Sequence, residues 1–279
     1  MSRFEAVAFP PEIAGHPDVR GAVIYRGDSR GDAILAAASL AEPLPAWSPV
    51  EVSPVGEGER PDLFAVREDG SLRAVPVPPN HVALDRAGDS FLEGRNLLRA
   101  WRASPCASWL LTWCAGGRVR EDGTLVEPDW LDRGAIADLS VGLAEHALAH
   151  ARGMGAPWLA RAAEEAAGWR EDGGAGAAAL LGEITRADEL RRADGAPPRG
   201  PSPEFFFAAL YLCRAVASPE AVRPAAFASE HLDRGLRSMR LIERARGLAD
   251  VVRRAVPFST PLRVALEFGH DPGRPGSLR

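Results

Sequence analysis

The chain has 279 residues, 46% of them hydrophobic and 25% charged, with a net charge of −5; that is enough apolar material for a sizeable core, and it excludes wholesale disorder. The acidic balance argues against a general nucleic-acid or membrane-surface binder. All 33 basic residues are arginine, so mechanisms that need a lysine, from the phosphate-binding loop to the Schiff base, are excluded as well.

Three cysteines without a CxxC pair fit a reducing compartment better than a disulfide framework. The opening MSRFEAVAFPPE has no basic region followed by an apolar run, and no later stretch reaches about 18 uncharged apolar residues. The expectation is a soluble, cytoplasmic, lysine-free and alanine-rich protein. Length and a change of composition near residue 85 predict two domains, 1–85 and 86–279.

Residues 1–85 are rich in proline and in short β-prone runs. Two strands are predicted, at FEAVAF (4–9) and GAVIYRG (21–27), the second leading through GDSRG into a helix, DAILAAASLAEP, that ends at Pro43. A hairpin follows, 63–67 with 72–77 around Asp69-Gly70, a pair suited to a tight turn with positive φ. Its prolines predict edge strands, and VPVPPN (75–80) predicts an exit linker. The sequence VREDGSL (66–72) recurs as VREDGTL (119–125) without matching flanks, which points to shared turn chemistry and not to a repeated domain.

The stretch 90–117 holds three of the seven tryptophans. Ser90 with Glu93 forms a capping box, so a helix is predicted from Phe91 with Leu97, Leu98 and Trp101 on one stripe. Ser104-Pro105 ends it. A second helix carries Cys106, Trp109, Leu110, Trp113 and Cys114 at helical spacing, predicts both tryptophans buried, and stops at Gly116-Gly117.

The rest reads as helical. Leu139, Leu143, His146 and His150 share a face of a helix that ends near Gly153, and Pro157 opens another bearing Trp158, Ala162 and Trp169. A third helix is predicted at 175–193, and APPRGPSP (196–203) is a rigid connector. Ser202-Pro203-Glu204 caps FFFAALYLCRAVA, which is apolar on every side and so is placed at the centre of a bundle, with Ser218-Pro219-Glu220 repeating the cap. A long helix keeps one stripe from Leu232 through Met239 and Ile242 to Val256. Thr260-Pro261 starts one more short element, and 270–279 reads as a loose tail. The predicted fold class is α+β, predominantly α: a small N-terminal α+β unit followed by an antiparallel helical bundle or a short irregular α-solenoid.

Three constellations have chemical content. Gly27-Asp28-Ser29-Arg30-Gly31 is a G-x-S-x-G between strand and helix, the setting of a nucleophile elbow. The triplet Gly27-Asp28-Ser29 after an N-terminal strand resembles the first block of GDSL-type esterases. That resemblance implies an oxyanion Gly-x-Asn-Asp block and a late Asp-x-x-His. Here the asparagines are Asn80 and Asn96, neither in that setting, and the late stretch nearest the pattern is Glu267 to His270. The competing reading makes Ser29 a helix cap.

His146 and His150, spaced i, i+4, project from one face as two metal ligands do, with His231 or Glu230 as a conceivable third. The competing reading is a semi-buried pair at a helix C-terminus. Finally, Arg234, Arg237, Arg240 and Arg244 lead an arginine-rich run in an acidic protein, a face for an acidic partner as against a merely solvated one. The cysteines sit among apolar neighbours and are assigned no catalysis. No motif is specific enough to carry a family's residues over. The expected function is therefore a non-enzymatic helical interaction module of adaptor or immunity type, without cofactor and with another, acidic protein as partner. The alternative is a hydrolase using Ser29 or a His146/His150 metal site.

Overall fold

A computed structural model of the chain describes residues 3–39, 44–55, 61–78, 86–93, 95–116, 118–119, 125–126, 131–151, 156–193, 201–218 and 222–269. The predicted connector at 196–203 lies mostly, and the predicted tail at 270–279 wholly, outside them, as does the second proline-centred cap at 219–220. The first helix, expected to reach Pro43, ends earlier, at Ala38, where the Ser39 amide donates to the Ala36 carbonyl at 3.3 Å. The fold is α+β and predominantly helical. The chain packs as two units, one built from residues 1–103 with 257–279 and the other from 104–256.

In the first unit β1 (Arg3–Ala8), β2 (Ala22–Gly27), β3 (Pro49–Val55), β4 (Asp62–Val66) and β5 (Leu72–Ala74) form an antiparallel sheet in the order β2-β1-β3-β4-β5. The middle strand, β3, is the one the sequence hides. Pro49 and Pro54 stand near its two ends, where a missing amide disturbs the ladder least, and Glu51 interrupts its apolar run. The predicted hairpin is β4–β5. Of its two strands β5 lies at an edge of the sheet; β4 is paired on both sides, to β3 and β5, so prolines flanking it did not mark an edge.

Residues of β3 alternate between faces. Val50 and Val52 join Ala6, Ala8 and Val66 in a core closed by Ala33 and Ala37 of α1 (Arg30–Ala38). Glu51, 8% exposed, faces the opposite way and meets α3 (Leu97–Ala103), which follows α2 (Arg86–Glu93). The capping box is not used: α2 already runs through Ser90, and the cap belongs to Asn96, whose Oδ1 accepts from the Arg99 amide at 2.9 Å. The single helix expected from Phe91 is therefore two. Asn96 wins because asparagine is a strong N-cap and its Nδ2 is held by Glu51 Oε2 at 2.8 Å and by the Pro61 carbonyl at 3.3 Å.

The second unit opens with α4 (Ala107–Cys114), followed by the two-stranded β6 (Arg118–Val119) and β7 (Leu125–Val126). The recurrent heptapeptide makes the same pairing twice, Val66 with Leu72 and Val119 with Leu125, as shared turn chemistry requires. Then come α5 (Arg133–His150), α6 (Pro157–Ala167), α7 (Trp169–Asp172), α8 (Ala175–Ala193), α9 (Pro201–Ala217), α10 (Val222–Ser238) and α11 (Ile242–Ala255), after which α12 (Ser259–Phe268) rejoins the first unit. No helix among the described residues is long and apolar enough to cross a membrane.

Helix α9 packs on α5, α6, α8 and α10, as expected of a helix apolar on every side, but keeps Phe206, Phe207 and Tyr211 half-exposed. Helix α4 is buried at Trp113, Leu110 and Leu111, although Trp109, expected to be buried, is half-exposed. Helix α9 also begins at Pro201, so Ser202 lies in its first turn instead of capping it. The long helix from Leu232 to Val256 is broken into α10 and α11 by Arg240, whose φ is 62°. The Leu241 amide donates to the Leu236 carbonyl at 3.0 Å and the Arg240 amide to that of Arg237 at 2.8 Å, a Schellman ending with arginine where glycine is usual. With no glycine or proline at 239–241, nothing local announces the break. Arg240→Gly is expected to stabilise the fold by about 1 kcal/mol by relieving the left-handed backbone; thermal denaturation checks this, and a loss instead would show that the guanidinium holds the corner.

Candidate interaction surface

Ser29 caps α1: its backbone is extended, at φ −127° and ψ 130°, and its Oγ accepts from the Asp32 amide at 3.2 Å. Next to it Arg30 Nε donates to Asp62 Oδ2 at 2.5 Å, at the side of a cavity of about 520 Å³ whose described walls include Ile34, Phe64, Leu92 and Asn96. No histidine or cysteine is among those described wall residues. Asn96 is committed to Glu51 and to its own helix; His270 and Asn80 lie outside the described residues. Ser29→Ala is expected to cost about 1 kcal/mol as a lost cap and to leave fluorophosphonate labelling at its background. Labelling of the native chain that vanishes in the variant would make Ser29 a nucleophile.

The histidines go to different partners. His146 Nε2 donates to the Arg244 carbonyl at 2.7 Å and its ring meets that of His150 edge-on, at 5.2 Å and 80°. Gly247 permits this approach of α5 to α11, since a Cβ there would lie 2.7 Å from His146 Cε1. His231 instead donates from Nδ1 to Glu204 Oε2 at 2.7 Å. Among the described residues no three His, Cys, Asp or Glu side chains gather as a metal site would need. Burial, then Arg244, then His146 lower the His150 pKa from its usual 6.5. Such a histidine binds fewer protons folded than unfolded, so stability is lost as the pH falls below about 6.5. His150→Gln should shrink the fall in melting temperature between neutral and mildly acidic pH; an unchanged profile would contradict this.

The arginine run is largely neutralised along its own helices. Arg234 bonds to Glu230, Arg237 Nε to Asp233 at 2.6 Å, Arg246 to Glu243 at 2.9 Å and Arg253 to Asp250 at 2.7 Å. Arg253 Nη2 also donates to the Ser104 carbonyl, and its burial lowers its pKa. Arg240 and Arg244 have no ion-pair partner among the described residues, and Ile242 between them is 48% exposed. Burial pushes the Cys213 thiol up to about 12, which removes it as a nucleophile at neutral pH.

The feature that sequence reading missed is a row of rings. Phe207 and Tyr211 stand one turn apart on α9, Phe227 and His231 one turn apart on α10, and the four interleave. Phe207 and His231 lie 5.3 Å apart at 30°, His231 and Tyr211 5.6 Å at 11°, Tyr211 and Phe227 5.2 Å at 25°. The row continues through Phe206, edge-on to Phe207 at 5.7 Å and to Trp158 of α6 at 6.1 Å. All six residues are half-buried. Their buried counterpart is Phe205, 1% exposed, which lies against Gly235, where a Cβ would come within 2.7 Å of the ring and force the two helices apart. Three guanidinium groups lie over the row: Arg161 on Trp158 at 5.3 Å, Arg191 on Phe207 at 5.2 Å and Arg214 on Tyr211 at 5.7 Å. The i, i+4 pairs 207/211 and 227/231 were visible as a pattern, but an all-apolar helix does not say which of its faces is covered. No family model, curated protein or solved structure matches the chain.

Proposed function

We propose that the chain is a non-enzymatic protein-interaction module of adaptor type, working in the cytoplasm, whose helical unit docks a partner protein through the aromatic row on α6, α9 and α10. One observation carries this reading: six rings in mutual contact, each half-exposed, with arginines laid over them. Large rigid rings and arginine are the residues enriched in protein interfaces, because they bury much area while losing few torsions. Cys213, a buried thiol among apolar neighbours, fits the reducing compartment. The corner of Arg240, Ile242 and Arg244 supports an acidic partner, since an exposed apolar side chain between two arginines without described ion-pair partners is a small recognition patch in its own right.

The test is site-specific photo-crosslinking in the source cell with a benzoylphenylalanine at Phe206, and at exposed Leu35 of the first unit as control. A discrete protein adduct at Phe206, absent at Leu35 and lost when Trp158→Ala is added, is the expected result. Identical adducts at both positions, or none at Phe206, would overturn it.

A further inference from the structure

We infer that the occupant of the aromatic row is an acidic amphipathic helix lying along the seam of α9 and α10; this rests on the interaction reading above. The geometry of the seam sets the period. Phe207 and Tyr211 are separated by four residues of one helix and Phe227 and His231 by four of the other, so apolar positions recur about every 6 Å along the seam at a rise of about 1.5 Å per residue. The ring contacts Phe207 to His231 and Tyr211 to Phe227 show the two helices running antiparallel, so both sides of the seam carry the same period. A third helix laid there offers a side chain at i, i+4 and i+8 to successive pairs of rings, which is ordinary helix packing.

Backbone chemistry selects the helix over an extended segment. The row presents ring faces and edges from helices whose own amides and carbonyls are bonded within them. An extended segment pressed on it would bury backbone polar groups with no partner, whereas a helix satisfies its own. The polar groups of the four-ring stack are the His231 imidazole, whose Nδ1 is already bonded to Glu204, and the Tyr211 hydroxyl, too few to pair the amides and carbonyls of an extended segment.

Charge selects the flanks of that helix. Arg161 and Arg191 are tied to Glu183 and Asp188 at 2.8 and 2.6 Å, while Arg214, on the exposed side of Tyr211, has no ion-pair partner among the described residues. A guanidinium group over an aromatic ring still has N–H groups to offer a carboxylate, which binds them in fork geometry. An apolar stripe flanked by Glu or Asp therefore matches the row, its stack and its arginines together.

The experiment is selection on the purified full chain from two displayed peptide libraries of equal length and acidity. One is helix-forming with apolar residues at i, i+4 and i+8; the other carries the same residues in alternation, with prolines that prevent a helix. Helical acidic peptides should be enriched, bind about tenfold more weakly to Phe206→Ala and severalfold more weakly to Arg214→Glu, and lose affinity with added salt. Arg214 is exposed, so its variant reads the contact even if a ring variant perturbs the fold. Enrichment of the extended library with the same dependence on Phe206 would sink the helix and leave the interaction reading standing. Binders from both libraries that ignore Phe206 and Arg214, or no binders, would sink both.

Discussion

Trp113→Ala is expected to lower the stability of the helical unit by about 3–5 kcal/mol, the cost of removing a large side chain from a core that collapses only in part. The indole is 3% exposed on α4, a helix packed against α10 and α11, and Leu110, Leu111 and Cys114 beside it are buried as well. Little around it is free to fill the space. Trp109, half-buried on the same helix, should lose clearly less in the same substitution. Chemical denaturation followed by the helical signal separates the two. A loss below about 1 kcal/mol at Trp113 would mean that the stripe faces solvent or a partner.

The second large effect is expected at Glu51, in the middle of the sheet. Its carboxylate accepts from Arg99 Nη2 at 2.6 Å and Nε at 3.0 Å and from Asn96 Nδ2 at 2.8 Å, so one buried acid ties β3 to α3 and positions the residue that caps that helix. Glu51→Ala leaves the guanidinium without its acceptor and the Asn96 amide with the Pro61 carbonyl alone, and should cost about 3 kcal/mol, at the low end for a broken buried pair because Arg99 is half in water. Changing Glu51 and Arg99 to leucine together should recover part of the loss, since two matched apolar side chains leave one charge less uncompensated than either single change. A double-mutant cycle measures the coupling. A near-zero coupling energy would mean that the pair sits together without holding the sheet to the helix.

Where helices and turns lie was largely decided by residues within a few positions of one another. Pro157 at the first turn of α6, the span 175–193 of α8 and the Asp-Gly turn of VREDGSL each act through local backbone geometry, and each is found where those residues put it. Tertiary structure decided the rest. Strand β3 exists because Arg3–Ala8 and Asp62–Val66 supply its partners from far along the chain, overriding two prolines and a glutamate. Arg240 breaks a continuous apolar stripe because α11 packs on α5 and α4, a direction that a straight continuation of α10 does not take. For the candidate site, the rings of α9 and α10 were legible as apolar residues one turn apart, but their exposure was not: a helix apolar on every side is covered only where another element lies against it, and among the described residues no element covers the outer side of the α9–α10 seam completely, so the row of rings is half-buried.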